Sequence, residues 1–151
     1  MGRRVIDIDA AIVERSGSSI PELFASIGES GFRALETAEL EWCLASDEPL
    51  VIATGGGVVE RAENLGALAA GAHVVWLDVD LDTLASRLRA SSTVRPLLEG
   101  DLDANLQRLA TGRLAKYRAA ADLTMVVGPD EGVAEFAARL AALMNERGWT
   151  E

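Results

Sequence analysis

At 151 residues the chain is most simply one domain. A hydrophobic fraction of 49% with only 5% aromatic residues calls for a core of Ala, Val, Leu and Ile. The formal charge of −10, from 24 acids against 14 bases, speaks against a nucleic-acid partner. No apolar run approaches the roughly 20 residues of a membrane span, so no membrane partner is expected either.

Thirteen of the fourteen bases are Arg, and Lys116 is the only lysine. One cysteine, Cys43, excludes an internal disulfide and suits a reduced, cytoplasmic setting. Lying between Trp42 and Leu44 in a helical pattern, it reads as a core residue. The opening MGRRVIDIDA has no apolar segment of a secretory signal. It enters a strand-like run more abruptly than a mature domain ordinarily does.

Val5–Asp9 reads as a first strand ending in acids. A short helix over about Ala10–Arg15 follows, closed by Ser16-Gly17. Ser18-Ser19-Ile20-Pro21-Glu22 has the hydroxyl caps and early Pro of a helix start. A longer helix over Ser30–Ala45 sets Phe32, Leu35, Ala38 and Trp42 on one face and Glu29, Arg33 and Glu36 on another. Leu50–Ala53 is the second strand. Arg61–Ala70 is a helix ending at Gly71. His73–Leu77 is the third strand, and Asp80 or Asp82 caps a helix to about Ala90. ASSTVRPLLEGD, at about 90–101, breaks every period and reads as a mobile loop. Helical pattern returns over Leu102–Ala121, Leu123–Val127 is the fourth strand, and a last helix carries Val133, Phe136, Leu140, Leu143 and Met144 on one stripe. Strands alternating with helices predict an α/β fold, a parallel sheet with helices on both faces. Ligands in such folds bind beyond the carboxyl ends of the strands.

Those ends carry the candidate chemistry. Asp7 and Asp9, two apart on a strand, face the same way, and two close carboxylates ask for a cation, a metal or hydroxyl donors. They could hold Mg²⁺ indirectly or orient a hydroxyl and take its proton; a polar strand end with a helix cap at Asp9 is the plain alternative. Arg33 between Glu29 and Glu36 is either a solvated helix face or a pre-ordered fork for a carboxylate. Thr54-Gly55-Gly56-Gly57 leaves backbone N–H groups uncovered and permits positive φ, which suits a hydroxyl, carboxylate or phosphate; a flexible turn is the alternative. It does not match GxxxxGK[ST]. Arg95, in the irregular loop, either closes over a charged group or is an ordinary surface Arg. Lys116-Tyr117-Arg118 could simply be a basic helix C-terminus. His73 has no metal-spaced partner and reads as structural.

In this order VIDIDAAIVER, GSSIPELFASIGESGFRALE, VIATGGGVV, VVWLD, VRPLL and KYR resemble the shikimate kinase family, from the first residues to about Val127 and more loosely beyond. The resemblance implies a nucleoside-monophosphate-kinase-like P-loop fold and transfer of the ATP γ-phosphate to the 3-hydroxyl of shikimate, with Mg²⁺, on the route to chorismate. Asp9 would then bind and orient the substrate hydroxyls, as a catalytic residue. Arg33 and Arg118 would hold the substrate carboxylate, with Glu36 orienting Arg33. Gly55, Gly56 and Gly57 would offer the substrate backbone contacts. Asp7 would sit near Mg²⁺ through water, and Arg95 would be the lid residue reaching over the ATP phosphates.

The family pattern begins with a strand, GxxxxGK[ST] and a helix, and none of the 151 residues matches that motif. The expectation is therefore a single shikimate-kinase-like domain over 1–151, N-terminally incomplete by its first βα unit, with a lid loop at about 90–101. After the fourth strand VGPDEG also lacks an Arg to lie against adenine. The absent strand would be central in the sheet, leaving two unpaired edges and poor folding in isolation. A false start site or truncated gene, a non-catalytic shikimate-binding relative and a subunit completed by a P-loop supplied in trans all fit, and a different small-molecule kinase of the same fold fits less well. Nucleotide binding by this chain alone is not expected.

Overall fold

The computed structural model describes residues 2–91 and 95–150. The elements in chain order are β1 (Arg4–Asp7), α1 (Ile8–Ser16), α2 (Ile20–Leu44), β2 (Leu50–Ala53), α3 (Ala62–Gly71), β3 (Val75–Val79), α4 (Leu81–Ala90), α5 (Leu102–Ala120), β4 (Leu123–Val127) and α6 (Val133–Glu146). Short 3-10 turns occupy Gly56–Glu60 and Pro96–Leu98. Strands alternate with helices and pair in parallel, as an α/β fold requires. They form two two-stranded sheets: β1 on β2, with Ile6 opposite Ile52, and β3 on β4, with Leu77 opposite Met125.

The chain divides into two compact units. The N-terminal unit, residues 2–72 with 95–99, contains β1, α1, α2, β2 and α3. Its core is built from Ile6, Ile8, Ile12, Leu23, Phe32, Leu40, Cys43, Val58, Val59 and Leu68, all buried aliphatics apart from Phe32 and Cys43. The C-terminal unit, residues 73–91 with 100–150, contains the remaining elements around Ala85, Leu106, Met125 and Val127.

The first strand is shorter than its sequence suggests. It ends at Asp7, whose carboxylate accepts from the Ala10 N–H at 3.0 Å and caps α1. Asp9 is therefore in the first helical turn and not on a strand, and the same-face argument from strand geometry does not apply. A short polar side chain that satisfies an orphan N–H of the first turn ends the strand two residues early.

The helix start at Ser19 is as expected: the Glu22 carboxylate accepts from both the Ser19 N–H and the Ser19 hydroxyl, at 2.7 and 2.6 Å. The helix then runs on to Leu44 but kinks at Gly28, which has φ 68° and ψ 177°. Only glycine adopts that conformation without strain. Beyond the kink the buried face is Phe32, Arg33, Glu36, Leu40 and Cys43, while Trp42 is 47% exposed and Ala38 is exposed. The apolar stripe expected through Leu35, Ala38 and Trp42 is thus rotated. The cause is that Arg33 and Glu36 pair with each other and can enter the interior together.

β3 begins at Val75, two residues later than expected. The Val74 N–H donates to the Asp122 carboxylate at 2.8 Å, and the Val74 carbonyl accepts from the Asp122 and Leu123 N–H groups. Asp80 caps α4 by accepting from the Thr83 N–H at 2.8 Å. β2 and β4 have the expected bounds. On α6, Phe136, Leu140, Leu143 and Met144 are half-buried and Val133 is 88% exposed. Ser92, Thr93 and Val94 of the expected lid loop lie outside the described residues, as does Met1. No helix among the described residues is long and apolar enough to cross a membrane.

Candidate functional site

The N-terminal unit brings together most of the singled-out residues, and Arg33 is at their centre. It is 8% exposed, and its Nη1 donates to Glu36 Oε2 at 2.5 Å; Glu36 itself is 2% exposed. The Arg33 guanidinium also lies 5.5 Å from the centre of the Phe32 ring, which packs on Phe24 at 4.8 Å. Arg33 Nε is buried with no hydrogen-bond partner and stands 3.6 Å from Glu29 Oε1. A buried guanidinium fixed by a buried carboxylate is a rigid fork for a second carboxylate. The same pair left without Arg33 would be a buried acid with its main counter-charge removed, so the two residues are held inside as a unit.

Two of the three glycines, Gly55 and Gly57, are required by close approach. None of Gly55, Gly56 and Gly57 has positive φ, contrary to the conformational expectation. A Cβ on Gly57 would instead coincide with the Arg33 guanidinium. A Cβ on Gly55 would come within 3.2 Å of Glu36 Oε1 and within 3.6 and 3.8 Å of the two Asp9 carboxylate oxygens. Backbone at Gly55 and Gly57 therefore lies directly against the charged groups, and any side chain on Gly57 would displace the fork.

Asp9 titrates above the ordinary carboxylate range. Burial is the main cause and the neighbouring Asp7 charge adds to it, while Arg95 and Arg33 pull the other way. A carboxylate whose proton affinity is raised in this manner is a stronger base when ionised. Arg95 is exposed, at the start of the Pro96–Leu98 turn, and acts on Asp9 through its charge. Arg118 is exposed in the last turn of α5, in the C-terminal unit.

A Mg²⁺ ion prefers near-octahedral oxygen ligation and keeps several waters. Among the described residues no three His, Cys, Asp or Glu side chains converge as a metal site. Asp7 already accepts from a backbone N–H, so the residues present suit at most a water-mediated contact. No GxxxxGK[ST] segment occurs in the 151 residues, so they do not supply the N–H cradle that a triphosphate needs.

The family model for shikimate kinase matches residues 1–143. The chain belongs to the shikimate kinase family. It is 49% identical over 135 residues to the shikimate kinase of Parasynechococcus marenigrum (strain WH8102), covering 89% of this chain and 69% of that relative. It is 41% identical to the shikimate kinase of Xanthomonas oryzae pv. oryzae (strain PXO99A), over 93% of this chain and 79% of that one. The solved structure of shikimate kinase from Acinetobacter baumannii in complex with shikimate superposes with a TM-score of 0.89 at 31% identity, over 97% of this chain and 80% of the other. Shikimate kinase from Aquifex aeolicus gives 0.74 at 29% identity, over 95% and 83%. Membership in the shikimate kinase family carries transferase chemistry with ATP and Mg²⁺ as the family's co-substrate and metal.

Two features of this shikimate kinase fold were not legible as site elements in sequence. Asn64 is 1% exposed in the first turn of α3 and donates through Nδ2 to the Val58 carbonyl at 3.0 Å. Glu39, also buried, forms an ion pair with Arg15, Nε to Oε2 3.0 Å, and the Arg15 guanidinium covers the Trp42 ring at 4.4 Å. A lone Asn and a lone Glu on helices follow no pattern that separates them from surface residues; their burial is the only signal.

Proposed function

We propose that the chain, as a shikimate kinase family member, binds shikimate through its N-terminal unit and does so without nucleotide. The observation that carries this reading is the buried Arg33–Glu36 fork lying on Gly57, with Asp9 beside Gly55. Arg33 takes the substrate carboxylate; Arg118, in the other unit, is the second arginine expected to bind it in the family. The backbone of Gly55, Gly56 and Gly57, of which Gly56 is exposed, is to offer the substrate its contacts. Asp9 accepts a hydrogen bond from the reacting hydroxyl and is the group to receive its proton. Arg95 is the lid residue that would approach transferring phosphates, and Asp7 would contact Mg²⁺ through water. When bound, ATP and Mg²⁺ supply the phosphoryl group and the charge neutralisation of the transfer.

The 151 residues alone do not turn over, because positioning of the triphosphate is most of phosphoryl-transfer catalysis and they contain no cradle for it. A cytoplasmic location follows for an enzyme whose co-substrate is ATP. A single shikimate-kinase-like domain with its lid at about 90–101 remains the organisation we favour. Calorimetric titration of the purified chain with shikimate should give saturable binding in the absence of ATP, and a flat titration would sink the binding reading. A coupled assay with ATP, Mg²⁺ and shikimate should give no product, and turnover would refute the predicted inactivity.

A second reading is a subunit completed in trans. Each of β1 to β4 has a single strand partner, leaving one edge of each unpaired among the described residues. Addition of a polypeptide carrying a strand, GxxxxGK[ST] and a helix should then restore turnover, and its failure to do so at any concentration removes that reading.

A further inference from the structure

We propose that Asn64 is a positioning residue for substrate binding: its side chain holds the Gly56–Glu60 turn so that Gly55 and Gly57 stay against Arg33, Glu36 and Asp9. The proposal rests on the reading of those glycines as the shikimate platform. Three observations support it. Asn64 is among the most buried polar side chains described, yet its Oδ1 has no partner, so the residue carries a desolvation penalty that a Leu of similar size would avoid. Its one hydrogen bond goes to Val58 O, in the middle of the turn and six residues back along the chain. The turn is otherwise pinned by Val58 N–H to Gly55 O at 3.2 Å and by the burial of Val58 and Val59.

The geometry explains why position matters here more than elsewhere. Gly57 lies so close to the Arg33 guanidinium that there is no room for the turn to move toward it. Movement away would open space between the platform and the fork. An apolar contact from Val58 and Val59 is non-directional and tolerates sliding, whereas a hydrogen bond to a carbonyl fixes its direction. Asn64 thus sets the distance between the backbone that meets the substrate and the guanidinium that meets its carboxylate, without itself touching either.

The test compares Asn64→Leu with Leu68→Ala, one turn further along α3 at a buried apolar position. Leu68→Ala opens a cavity in the same helix without touching the turn's hydrogen bond, and only Asn64→Leu removes the hold on Val58. In the full 151-residue chain, shikimate affinity should fall roughly tenfold in Asn64→Leu, the size of one lost well-oriented hydrogen bond. It should stay within about twofold in Leu68→Ala, as expected where a change is remote from the ligand. Amide exchange at Gly57, Val58 and Val59 should accelerate in Asn64→Leu relative to exchange in β1, and accelerate no more than β1 in Leu68→Ala. Equal loss of affinity in both variants, or uniform acceleration in Asn64→Leu, overturns the proposal. If the parent chain does not bind shikimate, the platform reading falls, and exchange at the three amides alone decides whether Asn64 holds the turn.

Discussion

Charge is handled in opposite ways in the two units. In the N-terminal unit the Arg33–Glu36 pair lies in the interior, and Glu39 is buried under Arg15. Among the described residues of the C-terminal unit the ion pairs reach solvent through at least one partner, although the Glu131 side chain is only 12% exposed. Arg89–Asp103, at 2.6 Å, has both side chains more than half exposed, and Arg139 embraces Glu131 at 2.8 and 3.0 Å while also donating to the Val126 carbonyl. Arg113 is the buried exception there. Bond lengths are similar in the two units, so geometry alone does not separate structural surface pairs from a built site. Burial does, because a desolvated pair must be complete and therefore rigid, while a solvated pair can open at little cost.

The sharpest way to break the contrast is Arg33→Ala. It strips the buried Glu36 of its guanidinium partner and should destabilise the chain by about 3–5 kcal/mol, the range for opening a buried pair. Denaturant unfolding would measure it, and a loss below about 1 kcal/mol would mean the pair is effectively solvated. Next is Gly57→Ala, whose new methyl meets the guanidinium head-on. A destabilisation of about 1–3 kcal/mol is expected from overpacking. It should be accompanied by loss of shikimate binding in calorimetry; retained affinity would place the substrate elsewhere.

Asp9→Asn tests the electrostatics with the opposite sign. The folded chain holds the Asp9 proton more tightly than an unfolded chain does, so the charged carboxylate weakens folding at neutral pH. That penalty disappears as pH falls through the folded and then the unfolded pKa. The variant should melt higher than the parent at pH 7, with the gain shrinking toward pH 3, near or below the ordinary Asp value of about 3.9. A gain that grows toward acid would reverse the assignment of burial as the main cause. The smallest effect belongs to Arg89→Ala, where loss of an exposed pair should cost about 0.2–1 kcal/mol and fade in high salt. A larger loss would erase the distinction between the two units.

Much of the candidate site was legible before any coordinates, but unevenly. Asp9, Arg33, Glu36 and Gly55–Gly57 could be singled out because each falls within the ordered motif series that resembles the family, and the structure gathers them in one unit. Their local sequence gave poorer guidance. Glu29, Arg33 and Glu36 have the spacing of an ordinary solvated helix face, and nothing in that spacing distinguishes inside from outside. The strand-based argument for Asp7 and Asp9 failed because a helix cap competes with the last strand residue at only a few kcal/mol or less. Asn64 had no pattern to follow.

The amino-acid sequence by itself determined the alternation of strands and helices, the positions of β2 and β4, the helix start within Ser18–Glu22, and the family. Those depend on periodicity, caps and motif order, all of which are local or linear. Only the tertiary structure decided that Arg33 and Glu36 go inward, that Gly57 is required by contact with a guanidinium and not by positive φ, and that a lone Asn reaches back to the glycine turn. These depend on what lies across a gap in three dimensions, where desolvation raises the energetic stake of every charge and every missing Cβ.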